Sequence, residues 1–257
     1  MRKKKFWVVL LTVLVFLSVT IMGVSTVFRV DRAEIRLTAV SDESSDEAEA
    51  LRQKLLAAYK GDASFFVEGD KAKKIFEEFP YFRLTSLSVK YPDTLVVEVT
   101  EDAEIYAVEK ADGEYYILGL DGIVLGERAD HTNRSDGGNN VFLNGLTVTA
   151  TRGKVLEGEG VAEILSFGKE MYSLLNGLRS NVTSIEWQKP APSVPQICFQ
   201  MKEGVKVFVQ KPAELTKEKA KKLVDCYLSL TDSQRLTGEI RVTNAEDGQI
   251  MAAYFAN

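Results

Sequence analysis

Histidine and cysteine are scarce in this 257-residue chain, and charge is missing altogether between Phe6 and Phe28. Each scarcity excludes something. Two cysteines, Cys198 and Cys226, are too few for a disulfide framework, and the 27 positions between them do not say whether they meet. Buried thiols are the default reading and a single bridge is the alternative. The only histidine, His131, lies in a loop rich in Asp, Asn and Ser, with no Cys or Glu at metal-ligand spacing. It is read as a solvated loop residue. No G-x-S-x-G turn is present, and Gly137-Gly138 lacks the strand and lysine of a phosphate loop. Asp121 and Asp247 each precede a glycine and are read as turn formers rather than an acid/base pair. The acidic run Asp42, Glu43, Asp46, Glu47 and Glu49 lacks the order of a calcium loop and suits a helix N-terminus. No catalytic residue, cofactor or metal is implied.

The uncharged run is the most conspicuous feature present. At 1.5 Å per helical residue, 6–28 would reach about 35 Å, against a hydrocarbon core of about 30 Å. Arg2, Lys3, Lys4 and Lys5 precede it. The positive-inside bias then predicts a cytosolic tail over 1–5, a transmembrane helix over 6–28 and an extracytoplasmic remainder. The expected location is the cell membrane, single-pass, with the N-terminus cytosolic. A cleaved signal peptide is the rival, since Gly23 and Ser25 offer a small-x-small site. Setting the four basic residues aside leaves a formal charge of about −9, which argues against a nucleic-acid surface.

Beyond Phe28 the hydrophobic period alternates between two values. Ala33, Ile35 and Leu37 alternate with Glu34 and Arg36 as in a strand. Ala48, Leu51, Leu55 and Ala58 or Tyr59 then share a helix face, with Ser45 as N-cap and Gly61 past the end. A second helix is predicted with Asp70 as N-cap and Ala72, Ile75, Phe76 and Phe79 inward, ended by Pro80. In SLSVKYPDTLVVEVTED, Leu87, Val89 and Tyr91 form one strand and Leu95, Val97 and Val99 the next, around a Pro92-Asp93 turn. Strand, helix, helix, strand, strand makes a small α+β module.

The remainder reads as β-rich with two covering helices. Tyr115 to Leu125 is two strands around Asp121-Gly122, and 128–140 is a polar loop. A helix from Gly160 to Leu178 turns Val161, Ile164, Leu165, Gly168, Met171, Tyr172 and Leu175 to one side. Strands follow at 182–188, 196–202 and 205–210, the first two joined by the loop KPAPSVP. A helix from Thr216 to Leu230 buries Ala220, Leu223, Val224 and Tyr227, and its lysines at 217, 219, 221 and 222 are read as a solvated face. The last hairpin pairs 239–243 with 249–255 around Asp247-Gly248. Asn133-Arg134-Ser135 and Asn181-Val182-Thr183 match a glycosylation pattern and are read as unmodified.

YPDTLVVEVTE, YYILGLDGIVL and GEIRVTNAEDGQIMAAYF, in that order and spacing after an apolar run, resemble the FtsQ/DivIB family of bacterial cell-division proteins. The resemblance covers nearly the whole chain. It implies a POTRA domain over 29–100 and a β domain over 101–257. The chain departs from the family at Glu101-Asp102-Ala103-Glu104, where Glu-Arg-x-Pro is usual, so no contact of a junction arginine is carried over. A glycine usual after the first strand is also missing near Leu37 to Val40.

What the resemblance implies is a non-enzymatic scaffold of the divisome at the division septum. It would bind FtsB/DivIC-like and FtsL-like bitopic division proteins, act indirectly on the septal peptidoglycan synthase, and help control septum formation. Capture of the FtsB/DivIC-like partner by strand addition maps onto Ile240 to Phe255. Ile250, Met251, Ala252, Ala253, Tyr254 and Phe255 would supply the edge, with Ile240 and Val242 on the strand behind it. The alternatives are a POTRA-bearing transport component, for which repeated units and barrel strands are lacking, and an anchored cell-wall hydrolase, for which paired carboxylates or a metal are lacking.

Overall fold

The computed structural model describes residues 2–39, 41, 44–191, 194–245 and 248–256; side chains in the first 27 residues are described at 7, 10–20, 22, 23 and 27, and at 191 only the backbone is. The expected Asp42, Glu43 and Asp247 roles lie outside these residues. The chain divides into two compact units, Met1–Glu101 and Asp102–Asn257, and the fold is α+β with mixed sheets.

In the first unit the elements are α1 (Arg2–Val27), β1 (Arg32–Thr38), α2 (Ser44–Tyr59), α3 (Gly69–Phe76), β2 (Phe82–Lys90) and β3 (Thr94–Glu101). The expected transmembrane helix is overturned: among the described residues no helix is long and apolar enough to cross a membrane. The single-pass membrane location expected from that helix is withdrawn with it.

Strands β1, β3 and β2 form a three-stranded sheet with β3 central, parallel to β1 and antiparallel to β2. Leu95, Val97 and Val99 face Leu51, Leu55, Tyr59, Ala72 and Ile75 of the two helices. Both expected caps were misplaced by a residue or more. Ser45 lies inside α2, while Ser44 donates to the Ser41 carbonyl at 2.7 Å. Asp70 is in the first turn of α3 and pairs with Lys73 at 3.0 Å, Glu68 being the cap position. Glu101, at the end of β3, is buried and accepts from the Ser41 amide at 2.8 Å and its hydroxyl at 2.6 Å.

The second unit contains β4 (Glu104–Glu109), β5 (Tyr115–Gly119), β6 (Val124–Arg128), β7 (Val141–Asn144), β8 (Val148–Thr149), β9 (Glu157–Gly158), α4 (Val161–Leu174), β10 (Val182–Ala191) and β11 (Val194–Met201). It continues with β12 (Lys206–Gln210), α5 (Thr216–Ser229), α6 (Asp232–Arg235), β13 (Glu239–Asn244) and β14 (Ile250–Phe255). Nine strands make one sheet, in the order β14-β13-β12-β11-β10-β7-β4-β5-β6. Ile197, Phe199, Val207, Val209, Ile240 and Val242 share a core with Ile164 and Phe167 of α4 and with Ala220 and Leu223 of α5. Both helices therefore cover the same face.

Strand β4 was not expected. Residues 104–108 are buried without interruption, so its sequence lacks the alternation that marks a half-buried strand. The expected loop KPAPSVP is strand at both ends, with Pro192 and Ser193 outside the described residues. Pro190 and Pro195 lie within β10 and β11, which pair as far as Ala191↔Val194. Lys219, expected in water, is fully buried in α5.

Tyr106 sets up a test of packing. Its hydroxyl is buried against Gly168 with no hydrogen-bond partner among the described residues, and burial pushes its pKa above the ordinary tyrosine value. Tyr106→Phe removes an unsatisfied polar atom, so stability should be unchanged or higher by up to about 1 kcal/mol. Urea unfolding checks this, and a loss above about 1 kcal/mol would mean that the hydroxyl has a partner after all.

Candidate functional site

The final hairpin is built by local rules. The Ala245 amide donates to the Gln249 carbonyl at 2.7 Å and the Gly248 amide to the Ala245 carbonyl at 2.9 Å. Gly248, at φ +80°, occupies the left-handed region that glycine adopts without a Cβ clash. From there β13 and β14 pair without a register shift, from Asn244↔Ile250 to Glu239↔Phe255.

That register determines which way each amide points. Hydrogen-bonded and non-hydrogen-bonded pairs alternate along an antiparallel ladder. Counting from the bonded pair Ala245/Gln249, the pairs at Met251, Ala253 and Phe255 are bonded to β13. Ile250, Ala252 and Tyr254 fall between them, so their N–H and C=O groups point away from β13. Among the described residues β14 pairs with β13 alone and ends the sheet. The three outward residues thus form an open edge.

The eight residues expected here are brought together. Ile240 and Val242 are fully buried in the core on β13. Ile250, Ala252 and Tyr254 pack on the helix side, and the Tyr254 hydroxyl donates to the Thr237 carbonyl at 3.1 Å. Met251 and Phe255 emerge on the opposite face, each about half exposed. There the Arg241 guanidinium sits 5.5 Å from the Phe255 ring centre and pairs with Glu239 at 2.8 Å. Beside it a cavity of about 280 Å³ is lined by Phe208, Gln210, Glu239, Arg241 and Thr243. Sequence reasoning did not single out Arg241; its alternation with the buried Ile240 and Val242 was the available signal.

The other sheet edges differ. The start of β6 is covered: the Val124 amide donates to the Lys154 carbonyl at 2.9 Å and the Gly153 amide to the Val124 carbonyl at 2.8 Å. The rest of β6 carries Glu127 and Arg128, β1 carries Arg32, Glu34 and Arg36, and β2 has Arg83, Lys90 and a bulge at Leu84/Ser86. Charges and bulges of this kind discourage strand pairing. Strand β14, IMAAYF, has neither.

Residues weighed for chemistry are held in structural roles. His131 is half-buried in its loop: its ring lies 5.3 Å from Tyr115 and 5.9 Å from Phe142, with Nδ1 buried. Asn133 is buried and donates to the Glu104 carbonyl and to Asn140 Oδ1, both at 2.8 Å. Asp121 pairs with Lys169. Glu104 is buried and accepts from Arg128 at 2.5 Å and from the Arg134 amide at 3.0 Å, tying the 128–140 loop to β4. Cys198 and Cys226 are both free thiols, and burial, with Glu186 nearby, pushes Cys198 up to about 11. Among the described residues no group of three or more His, Cys, Asp or Glu converges on a metal position.

No family model matches this chain, and no curated protein matches it either.

Proposed function

We propose that the chain is a non-enzymatic scaffold that receives a strand from a partner protein on β14. The observation that carries the reading is the open, uncharged edge formed by Ile250, Ala252 and Tyr254. Main-chain hydrogen bonds supply affinity in this mode, and side chains on alternate faces supply register. The resemblance to the FtsQ/DivIB family suggests the partners: FtsB/DivIC-like and FtsL-like division proteins, and through them the septal peptidoglycan synthase. The scaffold would then help control septum formation.

Ala252→Pro tests it. Proline removes an outward N–H and leaves the β13 ladder intact, because Ala252 lies in a non-hydrogen-bonded pair. Affinity of the full chain for an FtsB/DivIC-like partner should fall at least about tenfold, the equivalent of one lost bond and a blocked approach. The thermal midpoint should stay within about 2 °C. Binding that survives the substitution unchanged removes strand addition from consideration. Ala253→Pro is the contrast, since its N–H belongs to the ladder, and it should destabilise the hairpin itself.

A further inference from the structure

We infer that β14 also pairs with β14 of a second copy of this chain, antiparallel about a two-fold axis through Ala252. The inference uses the same open edge as the proposed function but does not depend on any other protein binding there. Its first ground is symmetry. Outward amides and carbonyls stand at 250, 252 and 254, evenly spaced about the middle residue. A two-fold at Ala252 sets Ala252 opposite its own copy and Ile250 opposite the copy's Tyr254. All three outward residues of each strand are then satisfied, with about six backbone hydrogen bonds in total. Shifting the register by two residues leaves either Tyr254 or Ile250, according to the direction, without a strand residue opposite, so the centred register satisfies the most groups.

Side chains agree with that register. On the helix side, Ile250 meets Tyr254 of the copy, a β-branched and aromatic pair of the kind that stabilises sheets. On the other face the half-exposed Met251 meets the small Ala253 of the copy. No charge lies between 250 and 255 to oppose like charge from the copy, whereas β1, β2 and β6 all carry charged residues. The consequence for function is competition: a strand received from another protein displaces the second copy from the same three residues.

Site-specific cross-linking of the full chain reads the register directly. In the centred pairing the two Ala252 Cα atoms lie about 5.5 Å apart, inside the roughly 4.4–6.8 Å span of a disulfide. The two Phe255 positions are offset by six residues, about 20 Å. Under mild oxidation Ala252→Cys should give at least about ten times more covalent dimer than Phe255→Cys, a difference set by the geometric limit on disulfides. Peptide mapping separates the link from any at Cys198 or Cys226. A mixture of Met251→Cys and Ala253→Cys chains, which leaves Ala252 in place, should cross-link between the two variants. Equal dimer at 252 and 255, or no link at 252 and none in the mixture, overturns the inference. An excess of an FtsB/DivIC-like partner should lower the yield. A link that forms while no partner binds upholds self-pairing and counts against the scaffold reading; binding without any link does the reverse.

Discussion

A Gly160→Ala variant is expected to lose about 3 kcal/mol of stability, combining roughly 1–2 for a left-handed non-glycine residue with 1–3 for overpacking. Gly160 precedes α4 at φ +80°, and its carbonyl accepts from the Ile164 amide at 3.0 Å to begin the helix. A Cβ added there would lie 2.3 Å from the Trp187 ring, which β10 holds in the core. Neither partner has room to yield: moving the ring disturbs the sheet, and moving the turn detaches α4. For a unit of this size each kcal/mol is about 2–4 °C, so the thermal midpoint should fall by about 10 °C. Gly137→Ala separates the two causes. Gly137 is also left-handed, at φ +69°, but a Cβ there meets nothing within 4 Å, so only the backbone cost of about 1 kcal/mol should appear. Equal losses for the two variants would show that Trp187 contact contributes nothing.

Lys219→Met is the second large effect. The Lys219 ammonium is buried and donates to the carbonyls of Gln210 at 2.9 Å and Lys211 at 2.8 Å, fastening α5 to the end of β12. The connection it secures is strained, with Lys211 at φ +45° and Leu215 at φ +50°. Methionine fills a similar volume but leaves two carbonyls unsatisfied, at about 1–3 kcal/mol each, offset in part by removing a buried charge. A net loss of about 2–4 kcal/mol is expected in urea unfolding near neutral pH.

The pH dependence carries a definite sign. Burial lowers the Lys219 pKa below its ordinary 10.5. Between the folded and unfolded values the unfolded chain binds more protons, so the stability contributed by this residue rises as pH climbs through that window. A neutral amine still has two N–H donors for the two carbonyls. The gap between the parent chain and Lys219→Met should therefore widen as pH approaches about 10. A gap that narrows over that range would mean the charge itself makes the attachment.

How much of this was legible beforehand depended on whether a segment buries one face or two. The hairpin at β13 and β14 was legible because Ile240 and Val242 alternate with Glu239 and Arg241, and Gly248 marks the turn. Helices α4 and α5 were legible for the same reason at a period of 3.6. Strand β4 was not, since a segment buried on both sides shows no alternation. The uncharged run over 6–28 was read as a membrane span on length, an expectation the described residues overturn. Lys219 was misread because a lysine in a helix surrounded by lysines carries no sign that carbonyls from another element will meet it.

By itself the sequence determined element type and the inward face of most elements, because side-chain periodicity acts over a few neighbouring residues. Only the tertiary structure decided strand order, and with it that β14 ends the sheet while β6 is partly covered by 151–156. Pairing between distant strands is a competition among many similar edges, settled by which arrangement buries the common core of α4, α5 and the sheet. The open backbone groups of Ile250, Ala252 and Tyr254 are the outcome of that competition.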